Sequence, residues 1–262
     1  IKRSNYLEIY EIENTSKEKL EELCDLKQPI LLNNYDTRTV DINALINNYS
    51  NFDIFIRKNN DEISLPLKLE DSIKLFNIDS SSNYISENNK EFIEETSLNK
   101  SLFVCDFFLR PYYLCNMIPD IIMGSKNSYT NLRCKLYCRN YFYINSGSVE
   151  INMTIPSNYK YLHVNEVLEN LIYESKMDIY KIEDKYLNDF NKIKLLKIIL
   201  LPGQLLQIPA GWFYNIKFLD SNIIIYNYSC TTYMNFFNLI PLYIKKFIQE
   251  KNIVNRFTKI IN

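Results

Sequence analysis

Histidine is almost missing from this chain. Its 262 residues include one, His163. A site that takes two imidazoles from a single chain is therefore excluded whatever the fold. The segment around that residue, YKYLHVNEVL, links it to no nucleophile, so no Ser/His/Asp or Cys/His constellation can be built, and His163 reads as a surface or capping residue. Glycine is scarce too, at four residues, and there is no GxGxxG, no P-loop and no HExxH. The six cysteines (24, 105, 115, 134, 138 and 230) form no CxxC pair. They read as free, mostly buried thiols in a reducing compartment. No apolar h-region follows Lys2 and Arg3, and the longest apolar stretches, 198–208 and 236–248, are interrupted and fall short of the roughly 20 residues a spanning helix needs. A chain that is cytoplasmic or virion-associated and not secreted is the expectation. The net charge of −1 supplies no electrostatic pull toward nucleic acid or membrane, so neither is expected as a partner.

What is present is aromatic and β-branched. There are 21 Tyr and 15 Phe, and Ile, Asn and Lys are abundant. An AT-rich genome encodes such a set, as in some large DNA viruses and protists. The length suits one large β-rich domain with a real core, or two small ones. Residues 15–26 predict a helix capped by Thr15 or Ser16, with Leu20, Leu23 and Leu26 as its stripe. Residues 30–32 predict a short buried strand, 41–49 a helix, 52–57 a period-two strand and 69–76 a helix. The polar stretch 79–99 reads as a surface excursion with one helix at 89–95. Residues 101–109 and 112–118 are apolar and aromatic, bounded by Pro111 and Pro119. From about Thr130, short strands dominate: 132–137, 141–144, 149–155, 205–208, 213–218 and 223–228. A helical-looking segment, 166–187, interrupts them; within it Glu166 and Glu169 read as a solvated face. Residues 236–250 predict an amphipathic helix, apolar at Phe237, Ile240, Ile244 and Phe247, with Pro241 as a kink or start.

Two segments carry a family resemblance. LLPGQLLQIPAGWFYNI (200–216) is similar to the signature of JmjC and cupin-like hydroxylases. In it Pro202-Gly203 makes a tight turn, 205–208 a strand, and Pro209-Ala210-Gly211 a second turn in which glycine tolerates the required φ. CKLYCRNYFYINSGSVEINMTIP (134–156) resembles the same family's first-ligand stretch, with Asn140, Gly147 and Pro156 near register. The entry, a helix followed by KQPILLNN, and the late strand 221–230 also match the family's order. The resemblance implies a mainly β fold with helical additions: a double-stranded β-helix (cupin or jelly-roll) core, a helical N-terminal region and a C-terminal helix. It implies a single domain over 1–262: support at 1–127, core at 128–234 with a helical insertion at about 164–190, and the C-terminal helix at 235–262.

Active relatives bind Fe(II) through two His and a carboxylate. The resemblance puts Cys134, Leu136 and Tyr214 at those three positions, and Tyr137, Asn140, Val149, Trp212 and Asn227 around a vestigial co-substrate pocket. Cys134 and Cys138 lie too far apart on an extended strand to share a metal, roughly 13 Å at 3.3 Å per residue. No catalytic residue and no metal ligand is therefore expected, and neither Fe(II) nor 2-oxoglutarate. The implied function is a non-catalytic scaffold, structural or protein-binding, with a virion or assembly protein of a large DNA virus as the expected setting. The alternatives are a dioxygenase with unusual ligands and a metal-free cupin that binds a small molecule. Other proteins are the expected partners.

Overall fold

The computed structural model describes residues 6–13, 15–35, 42–59, 63–79, 81–98, 107–168 and 170–261, with side chains to residue 251. Cys105, Glu169 and most of the apolar segment 101–109 lie outside the described residues. The architecture is mainly β, with fifteen strands in two sheets among the described residues.

The N-terminal part supplies β1 (Tyr10–Ile12), α1 (Lys17–Asp25), β2 (Ile30–Leu32), α2 (Ile42–Tyr49), β3 (Asp53–Lys58), β4 (Leu65–Lys68), α3 (Leu69–Ile78), β5 (Tyr84–Ser86) and α4 (Lys90–Glu95). Then come β6 (Leu114–Gly124), β7 (Arg133–Lys135), β8 (Arg139–Ser146), β9 (Val149–Thr154), β10 (Val164–Val167), β11 (Ile172–Ser175), the short α5 (Leu187–Phe190), β12 (Leu196–Leu200), β13 (Leu205–Pro209), β14 (Phe213–Phe218), β15 (Ile224–Thr232) and α6 (Tyr233–Ile261). Local chemistry explains many of these boundaries. Ser16 caps α1 by accepting from Lys19 N. Gly147 turns β8 into β9 at φ +71°, where a Cβ would meet Ile223 Cγ1 at 2.5 Å. Gly203 and Gly211, at φ +85° and +92°, turn the chain on either side of β13.

The larger sheet runs β1-β2-β13-β8-β15-β6-β5-β3-β4, and the smaller runs β10-β11-β7-β14-β9-β12. From β6 to β9 the chain alternates between the sheets, larger then smaller, and it alternates again from β12 to β15. Side chains on alternate residues therefore meet in the space between. Phe142, Ile144, Leu206, Ile208 and Ile225 from the larger sheet pack there against Val149, Ile151, Met153, Ile216 and Phe218 from the smaller. A second core, including Leu20, Ile54, Phe76, Phe92, Tyr141 and Tyr226, joins the N-terminal helices to the outer face of the larger sheet. A third, with Leu132, Cys134, Leu162 and Phe213, covers the outer face of the smaller one.

Three expectations need correction. The segment 164–190 is not a helical insertion. Its first half is a hairpin, β10–β11, and β11 pairs with β7. Its Glu, Leu and Lys content favours helix, but the free edge of β7 offers a ladder of hydrogen bonds that overrides propensity. Only the four-residue α5 is α-helical in its second half. The stretch 79–99 is not a surface excursion either: Ile85, Ser86, Glu87, Asn89, Phe92 and Ile93 are all buried. Asp79 folds its start, accepting from Ser81 N, Ser82 N, Tyr84 N and Ser125 Oγ. Finally, Pro119 does not end a segment. β6 runs through it, at a position where β15 is the strand's neighbour and β5 pairs only with Met123 and Gly124.

A candidate site between the sheets

The three positions matched to iron ligands do not come together. Tyr214 faces the inter-sheet space, fully buried, with the Phe142 ring edge-on at 5.1 Å. Its partner in register on β7 is Arg133. Because β7 alternates, Arg133 and Lys135 share the inner face, while Cys134 points outward to pack with Leu132, Leu162 and Phe213. Leu136 sits beyond the strand, against Tyr137, Leu171 and Leu239. Cys138 packs on the far side of the larger sheet, so it does not approach Cys134.

The inner face at this end of the sheets is charged. Glu87, arriving from the N-terminal part, accepts from Arg133 Nη1 at 2.9 Å and from Arg133 Nη2, and Arg57 Nε and Nη2 donate to it at 3.1 and 2.8 Å. Burial would raise the Glu87 carboxyl, but the Arg133 and Arg57 guanidinium groups outweigh it and hold Glu87 far below the usual carboxylate range. Lys135 reaches across from the smaller sheet to the larger, donating to Asn227 Oδ1 at 2.5 Å and Ser229 Oγ at 3.4 Å. Burial pushes its ammonium down to about 8, with Asp120 opposing. Asp120 stands beside Asn227 in register and accepts from Asn88 N at 3.0 Å and Asn89 N at 2.8 Å. Burial raises its carboxyl, against the pull of Lys135. Burial likewise raises the Tyr214 phenol, whose hydroxyl makes no well-aligned hydrogen bond among the described residues.

Of the remaining residues read from the sequence, Asn140 and Asn227 belong to this polar end. Asn140 accepts from Ser229 Oγ at 3.1 Å and donates to the Tyr137 and Ile208 carbonyls, while Asn227 donates to the Tyr141 carbonyl at 2.9 Å. Val149 is at the opposite, apolar end, paired with Phe218 and Leu200. Trp212 is fully buried and donates from Nε1 to the Lys27 carbonyl at 3.0 Å, tying the second turn of the 200–216 segment to the end of α1. Tyr137 packs with Leu171 and Leu239 under α6, and burial pushes its phenol up to about 12. His163 lies elsewhere, with Nε2 on Asp189 Oδ2 at 2.9 Å and Tyr186 beside its ring.

Sequence reasoning missed Arg57, Glu87, Asp120, Arg133, Lys135 and Ser229. One signal was available: Arg133 and Lys135 stand two apart in a short strand, which puts two cations on one face. Glu87 carried no such mark, because the loop that delivers it reads as polar surface. Among the described residues no group of three His, Cys, Asp or Glu is placed to hold a metal ion. The donor set at the inner end of β7 and β14 is a guanidinium, an ammonium and a phenol, which fits neither Fe(II) nor another divalent cation.

No family model matches the sequence, and no curated protein matches it significantly.

Proposed function

We propose that this chain is a Jumonji-type double-stranded β-helix used as a non-catalytic scaffold, with fixed charge pairs where relatives of that type hold iron. Three features support the reading. The run β6 to β9 and β12 to β15 alternates between two sheets, with β13-β8-β15-β6 adjacent in one and β7-β14-β9-β12 in the other, the pattern of a jelly-roll-type β-helix. The two turns of the 200–216 segment fall at Gly203 and Gly211, on either side of β13. The third feature carries the functional half of the proposal. Arg133, in register with Tyr214, is locked bidentate onto the buried Glu87, so the interior at that level is occupied by a buried ion pair.

Such an interior does not bind a cation, since Arg133 and Lys135 both point into it. A barrel closed this way keeps its outer surfaces for contact with other proteins, in keeping with a structural or assembly role. The test is direct. The purified chain is incubated anaerobically with Fe(II) and 2-oxoglutarate, desalted and analysed for iron, then exposed to oxygen and assayed for succinate. Iron well below one equivalent and succinate at the no-protein level are expected. Stoichiometric iron with succinate formation overturns the proposal.

A further inference from the structure

The C-terminal helix α6 is apolar on two sides. Leu239 is buried and, with Leu242 and Tyr243, packs on Tyr137, Leu171 and Ile118. Turning about half a circle around the helix brings up Phe237, Ile244 and Ile248, spaced i, i+7, i+11, with Phe247 beside them. This second stripe holds three of the four positions the sequence pattern marks, Phe237, Ile244 and Phe247, and each of its four residues is at least 54 % exposed. Tyr233 and Met234 extend it toward the helix start, where Tyr233 N donates to the Tyr113 carbonyl and Tyr112 and Tyr113 are exposed as well. An exposed apolar stripe of this extent marks a contact surface.

Charge identifies what the surface meets. The chain as a whole carries −1, yet the segment of α6 holds Lys245, Lys246, Lys251, Arg256 and Lys259 against one carboxylate, Glu250. Lys245 flanks the stripe, anchored to Glu166 of β10, and Lys251 lies over the Phe247 ring at 5.5 Å. Two copies meeting through this stripe would bring two basic helices face to face, which like-charge repulsion opposes. An apolar, aromatic stripe edged by lysines instead matches the interface of an anionic bilayer, where rings sit at the headgroup level and ammonium groups reach lipid phosphate and carboxylate. No helix among the described residues is long and apolar enough to cross a membrane, so the helix would lie along the surface.

We propose that α6 docks the protein peripherally on an anionic lipid surface through Phe237, Ile244, Phe247 and Ile248. The full chain is sedimented with vesicles of phosphatidylcholine alone and of phosphatidylcholine with phosphatidylserine, at low and high salt. Binding to the anionic vesicles is expected to be at least about tenfold tighter and to weaken with salt, as near-surface cations each contribute roughly a fivefold factor. Ile244→Asn/Phe247→Asn, both exposed and outside the packed side of the helix, should lose at least about tenfold while its unfolding midpoint stays at the wild-type value. Lys251→Ala should lose about fivefold on anionic vesicles alone. Equal binding to both vesicle types, or a solution dimer that the double variant dissociates with no vesicle binding, overturns the proposal.

Discussion

Along several strands that face the inter-sheet space, the side chains change character from one end to the other. On β15 the inward residues run Ile225, Asn227, Ser229; on β8, read backwards, Ile144, Phe142, Asn140; on β6, Ile122 then Asp120. The smaller sheet follows suit, with Phe218, Ile216 and Tyr214 on β14, and Arg133 and Lys135 on β7. One end is a dry aliphatic core and the other a set of hydrogen-bonded charges. Both are closed, but by different physics. The apolar end is held by area removed from water and by close packing, and it tolerates loss in proportion to the volume removed. The charged end is held by pairing that only just offsets desolvation, so its response to substitution depends on whether a partner is left behind.

That contrast can be broken at several points. The largest effect is expected at Glu87→Gln, which leaves the buried Arg133 and the half-buried Arg57 without their carboxylate. About 3–5 kcal/mol of stability should be lost, read as a lower midpoint in urea unfolding. Leu206→Ala at the apolar end, also fully buried, should cost about 3 kcal/mol by the cavity it opens, without changing the pH dependence. Removing the two other buried charges, which influence one another without a direct bond, should act in the opposite direction. Asp120→Asn/Lys135→Met is expected to be neutral or stabilising by about 1–3 kcal/mol at pH 7.

The pH dependence sharpens the comparison. Burial holds the Lys135 ammonium at about 8, below its ordinary 10.5, so the unfolded chain holds that proton more tightly over the interval between them. Its contribution to stability therefore rises as pH rises through that window, by up to about 3 kcal/mol. Wild type should accordingly gain stability relative to the double variant as pH rises above 8. A constant difference from pH 7 to 10 would show that Lys135 is not held in a desolvated place. The smallest effect is at Ile225→Val, about 1 kcal/mol and independent of pH. If it proved as costly as Glu87→Gln, the two ends would not differ as described.

Much of the fold was legible before the structure. A period-two run located β3, and short β-branched and aromatic runs located β8, β9, β13, β14 and β15, which are mostly buried on both faces. The helices at 17–25, 42–49, 69–78 and 90–95 announced themselves through apolar stripes and, for the first, a Ser16 cap. Short partners such as β1, β4 and β5 carried too few residues to show a period, and β10–β11 looked helical because its pairing partner, β7, is about forty residues away in sequence from β11. The candidate site was half legible. Tyr214, Asn140 and Asn227 face the polar end, but the match at β7 named Cys134, when its neighbours Arg133 and Lys135 are the residues that point inward.

The single histidine and the motif glycines belong to the sequence alone. Counting one imidazole rules out a two-His iron site without any coordinates, and glycine at 147, 203 and 211 marks backbone turns that other residues adopt only under strain. Which face of β7 looks inward, where Glu87 arrives, and which stripe of α6 stays open to solvent were decided only by the tertiary structure. The reason is common to all three. A strand shifted by one residue exchanges its faces, a loop's destination depends on what the rest of the fold leaves open, and a helix with two apolar sides can bury only the one its neighbours reach.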